Sequence, residues 1–233
     1  MENPFMRSEL LLGSKGMDKL SRSTVAVFGI GGVGSFVVEA LIRTGLGRII
    51  LIDYDIIDIT NINRQIHAIR RTVGMSKVEA MRERILEINP DVDIVIHNKK
   101  YNLETKEELL LENYDYVVDA IDMVSSKLDL ILECKKRKMP IISSMGAGNK
   151  LNPTMFKVAD IYSTKICPLA KVMRRELRKR NVKNLKVVYS EEIPLIINLE
   201  SEDLRKAVPG SVGFVPPAVG LIIASEVVKD IVL

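Results

Sequence analysis

The sequence predicts an α/β fold with a doubly wound, mostly parallel, Rossmann-like sheet and a less regular C-terminal part. Through about residue 145, short apolar runs typical of buried strands alternate with segments of helical spacing. The first run leads into a glycine-rich turn at residues 29–34, and a helix and a second apolar run follow. Alternation of this kind places neighbouring strands parallel, with right-handed crossovers.

We expect strands at residues 24–30, 48–53, 92–97, 116–120 and 140–144, because each is a short, nearly continuous apolar run. Helices are expected between them at residues 35–43, 77–88, 103–112 and 125–136. In the second of these helices, Val78, Met81, Ile85 and Ile88 recur at helical spacing. It should end before Pro90, because a proline disfavours helical backbone in the residue before it.

The pattern is less regular beyond about residue 145. Strands at residues 155–159 and 185–189 flank a basic helix at residues 169–180. A loop is expected at residues 193–213 and a closing helix at residues 218–228. The apolar stretch 212–233 is interrupted by Pro216 and Pro217 and by charges, which favours a buried core helix over a membrane span.

The composition excludes several classes of protein. The 233 residues are 47% apolar and 27% charged, which is typical of a globular chain. Two cysteines by themselves cannot make a disulfide framework or a four-ligand zinc site, and they fit a reducing cytosol. Two histidines are too few for a histidine-rich metal centre. The charges among residues 1–12 argue against a secretory signal, so we expect a cytoplasmic protein. The absence of tryptophan argues against a stacking platform for single-stranded nucleic acid.

Positive charge is concentrated in one segment, residues 165–186, which we call the basic arm. It holds nine Lys or Arg and one acid, so it carries +8 while the whole chain carries +4. The remainder of the chain is therefore mildly acidic, at −4. This distribution is expected of a protein that contacts a polyanion.

The glycine turn indicates a nucleotide site. Its G-x-G-x-x-G pattern, Gly29, Gly31, Gly32 and Gly34, follows a strand and opens a helix, where free N–H groups can face a phosphate. Asp53 ends the second strand, where a carboxylate can accept hydrogen bonds from ribose hydroxyls. These features alone do not distinguish NAD from ATP.

The residues beyond Asp53 favour ATP. Asn61, Arg64 and Gln65 place amides and a guanidinium beyond the expected ribose site, and Lys77 offers an ammonium at a helix start. A dinucleotide needs no such second cluster of phosphate donors, whereas a triphosphate does. Asp122 follows the fourth strand, where Mg²⁺ could bridge its carboxylate to phosphates.

These motifs, together with Asp55, resemble the nucleotide site of the ubiquitin-activating-like (ThiF- and MoeB-type) adenylating superfamily. Within it, Arg64-Gln65, Asp122 with Lys127, the segment 145–148, and the turn 210–217 look most like the tRNA threonylcarbamoyladenosine dehydratase branch. The resemblance covers essentially residues 5–230. It implies one adenylating domain over residues 1–233, with the nucleotide-binding half at about 1–150 and the basic arm and closing helix at about 151–233.

The resemblance also implies roles for individual residues. Asp53 would hold the ribose, Asp122 would take Mg²⁺, and the phosphates would be held by Asn61, Arg64, Gln65 and Lys77. Arg64, Lys77 and Asp122 would thus serve catalysis. Arg7 matches the second arginine of the family's N-terminal pattern, which reaches the partner subunit's triphosphate, so a homodimer is implied. Pro4 stands where the family has the first arginine.

The activity implied is ATP-dependent cyclisation, with net loss of water, of threonylcarbamoyladenosine beside the tRNA anticodon, through an acyl-adenylate. Lys165, Lys171, Arg174, Arg175 and Arg178 of the basic arm would contact the tRNA backbone. The alternative for this segment is a solvated basic helix, with Val172, Met173 and Leu177 on its other face.

Two other activities remain open from the sequence. The alternative within the superfamily is adenylation of the C-terminus of a ubiquitin-like sulfur-carrier protein, although the chain lacks the paired C-x-x-C motifs frequent there. An NAD oxidoreductase would leave Arg64, Lys77 and Asp122 unexplained.

The sequence also leaves open whether a sulfur-transfer partner docks on this protein. Cys167 is the loop cysteine that could act as an acyl acceptor, whereas we interpret Cys134 as a packing residue. We interpret both histidines as structural.

Overall fold

The computed structural model describes residues 3–111, 114–196 and 209–233. In these residues seven strands form one sheet in the order β3-β2-β1-β4-β5-β7-β6. The strands are β1 (Thr24–Phe28), β2 (Arg48–Ile52), β3 (Asp93–His97), β4 (Tyr116–Asp119), β5 (Ile141–Ser144), β6 (Phe156–Asp160) and β7 (Lys186–Ser190). Neighbouring strands are parallel except β6, which pairs antiparallel with β7. The predicted fold class is confirmed.

The described helices cover both faces of the sheet. They are α1 (Met6–Arg22), α2 (Gly34–Thr44), α3 (Lys77–Ile88), α4 (Lys106–Leu109), α5 (Val124–Arg137), α6 (Pro168–Lys179) and α7 (Val215–Val232). One apolar core lies under α1, α2, α3 and α7, and the other under α4, α5 and α6. Alternate residues of each central strand enter the two cores, as with Val27 and Phe28 of β1.

Three elements differ from expectation. Helix α1 is not predicted, because a kink at Gly13 (φ +70°) interrupts it and Leu10 and Leu11 are exposed. The helix expected at residues 103–112 is reduced to α4, because the Asn102 side chain accepts from the backbone N–H groups of residues 104 and 105 and holds a turn there. Of the residues predicted for this helix, residue 112 lies outside the described part of the chain. Residues 197–208 of the predicted loop 193–213 also lie outside it. Helix α7 is longer than expected.

The sheet order places the candidate site. Strands β1 and β4 are neighbours, yet the helices that follow them, α2 and α5, pack on opposite faces. A crevice therefore opens beyond their carboxyl ends, where doubly wound folds bind ligands. The glycine turn and Asp122 both lie at this edge. None of the helices in residues 3–111, 114–196 and 209–233 is long and apolar enough to cross a membrane.

Candidate functional site

The glycine turn joins β1 to α2, and its glycines serve different purposes. Gly29 has φ +90°, and a Cβ there would lie 2.6 Å from the Ala120 carbonyl oxygen. A Cβ at Gly34 would lie 1.8 Å from the Gly29 carbonyl oxygen. A Cβ at Gly31, by contrast, would meet nothing within 4 Å. Gly29 and Gly34 are thus required by the protein's own packing, whereas the space at Gly31 is open to a ligand.

A cavity with two adjoining lobes lies beside this turn. The first, about 200 Å³, has apolar walls from Phe28, Ile52 and Tyr101, and we call it the apolar lobe. The second, about 690 Å³, we call the polar lobe. Both are lined by Gly31, Asp55, Lys77, Ala120, Ile121 and Asp122. The arrangement fits an elongated ligand with a flat apolar end and an anionic end.

Asp53 stands at the wall of the apolar lobe, where its carboxylate fixes the glycine turn. Its Oδ2 accepts from the Ile30 N–H at 2.6 Å, and its Oδ1 accepts from the Asp55 N–H at 2.9 Å. Burial raises the pKa of Asp53, while the Lys77 charge and these two N–H groups oppose that shift. Each carboxylate oxygen can accept a further bond, so Asp53 can both anchor the turn and receive a hydroxyl.

The predicted phosphate-binding residues converge on the polar lobe. Asn61, Arg64, Gln65 and Lys77 all line it. Arg64 crosses the glycine turn, so that its Cγ would lie 3.3 Å from a Cβ at Gly32, and its Nη1 donates to the Thr60 carbonyl at 3.0 Å. The Gln65 amide is buried, and its Oε1 has no hydrogen-bond partner in the described part of the chain. The lobe thus combines a guanidinium, an ammonium and amides, the donor set that suits phosphate oxygens.

Asp122 is exposed at the junction of the two lobes. Within residues 3–111, 114–196 and 209–233, no group of three or more His, Cys, Asp or Glu could hold a metal ion by itself. Mg²⁺ commonly takes one or two carboxylates and completes its shell with water and substrate phosphates. A single carboxylate at the rim of the polar lobe therefore fits Mg²⁺ delivered with a nucleotide, and does not fit a resident metal cage.

The structure does not bring Arg7 to this cavity. Arg7 is exposed in the first turn of α1, and its neighbour Phe5 packs against Gly45 at the C-terminal end of α2. The glycine turn lies at the other end of this 11-residue helix, about 16 Å away at 1.5 Å per residue. Arg7 lines neither lobe of its own chain.

The basic helix α6 presents a charged groove. Lys171, Arg174, Arg175, Arg178 and Lys179 line a shallow cavity of about 410 Å³, as the spacing of the arginines predicts. Ala170, Met173 and Leu177 are buried beneath it.

Two details of α6 correct the sequence interpretation. Val172 is exposed rather than on the buried face. Arg174 is not simply solvated, because its Nη1 donates to both the carbonyl (2.9 Å) and the hydroxyl of Thr164. Lys165 is exposed in the loop before the helix but does not line the groove.

Cys167 is buried rather than available on a loop. It is the residue immediately before α6, and its Sγ would lie 3.8 Å from a Cβ at Gly146. Cys134 is fully buried in the core under α5, as expected for packing, and burial raises the pKa of its thiol to about 12. Neither thiol is presented as a nucleophile in this arrangement.

Sequence reasoning missed part of the apolar lobe. Lys99, Lys100 and Tyr101, which follow β3, line it, and so do Met123 and Ser126. The Lys100 ammonium lies 5.4 Å from the centre of the Tyr54 ring. The signal was available, because residues after any parallel strand reach the same edge of the sheet as the glycine turn.

Fold and cavity together define a Rossmann-like nucleotide-binding protein whose polar lobe is lined by Arg64, Lys77 and amides. The model of the ThiF family matches residues 5–232, and the chain belongs to this family. A tRNA threonylcarbamoyladenosine dehydratase of Bacillus subtilis is 46% identical over 245 residues, covering 99% of this chain and 95% of that protein. The enzyme of that name from Escherichia coli is 42% identical over 168 residues, covering 72% and 63%.

The solved structures agree with this assignment. The crystal structure of the Escherichia coli tRNA N6-threonylcarbamoyladenosine dehydratase in complex with ATP superposes with a TM-score of 0.89 at 35% identity, covering 97% of this chain and 93% of that one. A complex of the same enzyme with AMP gives the same TM-score and identity. The prediction of family and branch made from the motifs is confirmed.

Proposed function

We propose that this protein is an ATP-dependent tRNA threonylcarbamoyladenosine dehydratase. The observation that carries the proposal is the two-lobed cavity: an apolar lobe sized for a base, joined at Gly31 to a polar lobe lined by phosphate donors. Relatives of this name match the whole chain, and one of them has been crystallised with ATP and with AMP. This supports the dehydratase over the alternative, adenylation of a ubiquitin-like sulfur carrier.

The chemistry is activation of a carboxylate followed by ring closure. The threonine carboxylate of the modified adenosine attacks the α-phosphorus of ATP, forming an acyl-adenylate and releasing pyrophosphate. The ureido group of the same modification then attacks the acyl carbon, AMP leaves, and the net change is loss of water. An intramolecular closure needs no enzyme nucleophile, which agrees with the burial of Cys167.

The protein contributes positioning and charge neutralisation. Lys77 and Arg64 face the polar lobe, where negative charge builds up on the phosphates as the α-phosphorus is attacked. The open N–H groups of the glycine turn at the start of α2 orient the phosphate chain, and Asp53 receives the ribose. Asp122 would hold Mg²⁺, which shields the charge of the phosphates when it is bound.

Arg7 is proposed to act on a second copy of the chain. It lies at the far end of α2 from its own cavity, so it can reach a nucleotide only across an interface. Exposed apolar residues on the same helix, Met6, Leu10 and Leu11, support such an interface. The protein would then be a homodimer with two shared sites.

The groove on α6 is proposed to bind the phosphates of tRNA. Lys171, Arg175 and Arg178 carry exposed charges along one face of the helix, and Lys165 precedes it. Glu176, the acid of the arm, pairs with Arg180, Lys179 and Arg175, and these contacts lower the pKa of its carboxyl to about 2. One carboxylate cannot neutralise three cations, and it does not pair with Lys165, Lys171 or Arg178, so a net positive charge is available to a polyanion.

We treat residues 1–233 as one adenylating unit working in the cytoplasm. Strand β7 and helix α7 share one apolar core with β1 and α2, which supports a single unit rather than two. The few buried thiols suit a reducing compartment. A sulfur-transfer partner is retained as a proposal that rests on the family resemblance alone.

One experiment tests the activity. The protein is incubated with ATP, Mg²⁺ and tRNA carrying threonylcarbamoyladenosine, and the tRNA nucleosides are then analysed by mass spectrometry. We expect the modified adenosine to lose one water, with AMP and pyrophosphate formed in equal amounts. ATP turnover that is indifferent to modified tRNA, but stimulated by a ubiquitin-like carrier, would overturn the proposal.

A further inference from the structure

A fully buried ion pair lies beneath the cavity, joining the end of β4 to helix α5. The Lys127 ammonium is 2.9 Å from Asp119 Oδ2, and both side chains are entirely inaccessible to solvent. Replacing such a pair by apolar residues is often neutral or stabilising, because the loss of hydration offsets the attraction. The stability of the fold alone therefore does not account for it.

The pair holds both backbone polar groups of one residue, Ile121. Asp119 Oδ1 accepts from the Ile121 N–H at 3.1 Å, and the Lys127 Nζ donates to the Ile121 carbonyl at 2.9 Å. Ser143 of the neighbouring strand β5 donates its hydroxyl to Asp119 Oδ2. Two strands, β4 and β5, and one helix, α5, thus fix the short loop at residues 120–122, which we call the Asp122 loop.

The other side of the Asp122 loop rests on the glycine turn. A Cβ at Gly29 would lie 2.6 Å from the Ala120 carbonyl oxygen and 3.1 Å from the Ile121 nitrogen. The loop is therefore confined between the buried pair and the turn that faces the nucleotide. Asp122, the next residue, is exposed, and no hydrogen bond or ion pair within the described ranges restrains its carboxylate. Its placement depends on the backbone before it.

We propose that Lys127, together with Asp119, is a positioning residue for Asp122. By fixing the N–H and the carbonyl of Ile121, the pair sets where the Asp122 carboxylate stands relative to the polar lobe, and hence how well that carboxylate holds Mg²⁺ brought with ATP. The inference rests on the proposed function and adds residues that touch neither nucleotide nor metal. Groups that orient a metal ligand in this way commonly change metal affinity 10- to 100-fold.

Magnesium-dependent ATP binding provides the test. Binding of a fluorescent ATP analogue is measured over a Mg²⁺ titration, without tRNA and without turnover. For Lys127→Met we expect the Mg²⁺ concentration at half effect to rise about 10- to 100-fold, with little change in affinity for metal-free nucleotide. In the double variant with Asp122→Asn, Lys127→Met should cause almost no further shift in the Mg²⁺ concentration at half effect, because both substitutions act through one carboxylate. Cys134→Ala, which removes buried packing from the same helix, should respond to Mg²⁺ like the wild type.

A second variant covers the case in which Lys127→Met does not fold. Asp119→Asn with Lys127→Gln leaves no unpaired buried charge, and glutamine is one atom too short to make both lysine contacts. We expect the same shift in Mg²⁺ dependence from it. A normal Mg²⁺ response in either folded variant, or additivity with Asp122→Asn, would overturn the inference alone. If the ATP affinity of the wild type did not change with Mg²⁺ concentration, the magnesium role of Asp122 in the proposed function would be overturned. This inference would then be overturned as well.

Discussion

The Lys77 ammonium lies 2.6 Å from Asp55 Oδ2, at the boundary between the two lobes of the cavity. Lys77 is buried, whereas the Asp55 side chain is 45% exposed. The carboxylate that holds the lysine in place is therefore accessible to a ligand. A polyphosphate in the polar lobe would compete with Asp55 for this ammonium. The pair therefore keeps a buried positive charge compensated until the nucleotide arrives.

Replacement of Lys77 should slow adenylation far more than it weakens the fold. For Lys77→Met we expect a loss of about 10²- to 10³-fold in kcat, as for other donors aimed at charge that develops in a transition state. Pyrophosphate release in the presence of modified tRNA measures it. Lys157→Met removes a similarly paired lysine from β6 and should leave the rate unchanged. Equal rates for the two variants would contradict the role of Lys77.

Alanine substitution at two glycines of the same turn should have different effects, one on ATP binding and the other on stability. Gly31→Ala should unfold at nearly the wild-type temperature, because its Cβ meets no protein atom, but it should raise the KM for ATP by on the order of tenfold by filling the phosphate approach. Gly34→Ala should lose about 3 kcal/mol or more, because its Cβ would clash with the Gly29 carbonyl. Thermal unfolding and steady-state kinetics separate the effects. A Gly31→Ala variant with normal KM would show that no ligand approaches there.

The proposed role of Arg7 across a dimer interface can be tested by complementation. Arg7→Ala and Asp122→Ala should each be nearly inactive as homodimers. In a mixed dimer, one of the two sites has the intact Asp122 of one chain and the intact Arg7 of the other. Random exchange of subunits should therefore restore about a quarter of the wild-type activity. No recovery after exchange, or a monomeric and fully active wild type by light scattering, would refute the shared site.

Charge reversal on α6 should affect tRNA and not ATP. Since Arg174 supports Thr164, the reversal is better made at Lys171, Arg175 and Arg178. Each lost phosphate contact should lower the slope of log affinity against log salt by about 0.7 to 0.9. The KM for ATP should remain as in the wild type. Reversal of Lys136 and Lys138, an exposed pair of charges at the end of α5, is the matched control. An unchanged salt slope would mean that α6 is a solvated face.

His67 should make stability depend on pH. Burial lowers its pKa to about 4, and the charges of Lys77 and Arg84 act in the same direction. Below pH 6.5 the unfolded chain takes up a proton that the folded protein does not, so unfolding becomes easier as the pH falls towards 4. Between pH 7 and pH 5 the wild type should lose roughly 2 kcal/mol more than His67→Gln in urea unfolding. An identical loss in His67→Gln would show that His67 titrates normally.

The parts of the molecule that the sequence predicts correctly are those with a strong local signal. β1, the glycine turn, α3 and Asp122 follow from apolar runs, glycine spacing and the rule that parallel strands end at one edge. Placement on this edge also explains why residues as distant as Asn61 and Asp122 meet in one cavity.

Features that depend on contacts distant in sequence could not be predicted. Nothing near Arg174 in the chain indicates that Thr164 lies within its reach, and the exposure of Val172 depends on how α6 docks on α5. The burial of Cys167 is set by its packing against Gly146. Helix α1 could not be predicted from hydrophobic periodicity, because its apolar residues Leu10 and Leu11 face solvent instead of forming a periodic buried stripe.

Strands β6 and β7 pair antiparallel, and α6 lies entirely in the long connection between them. The basic helix is therefore inserted at the rim of the sheet, outside the parallel strands that shape the nucleotide cavity. Its exposed charges can be exchanged without repacking β1, β2 or β4, because only its buried face joins the apolar core of those strands. On the proposed tRNA-binding role of α6, exchange of these charges would change the polyanion recognised and leave the adenylating chemistry unchanged, so relatives should diverge in this connection earlier than in the glycine turn.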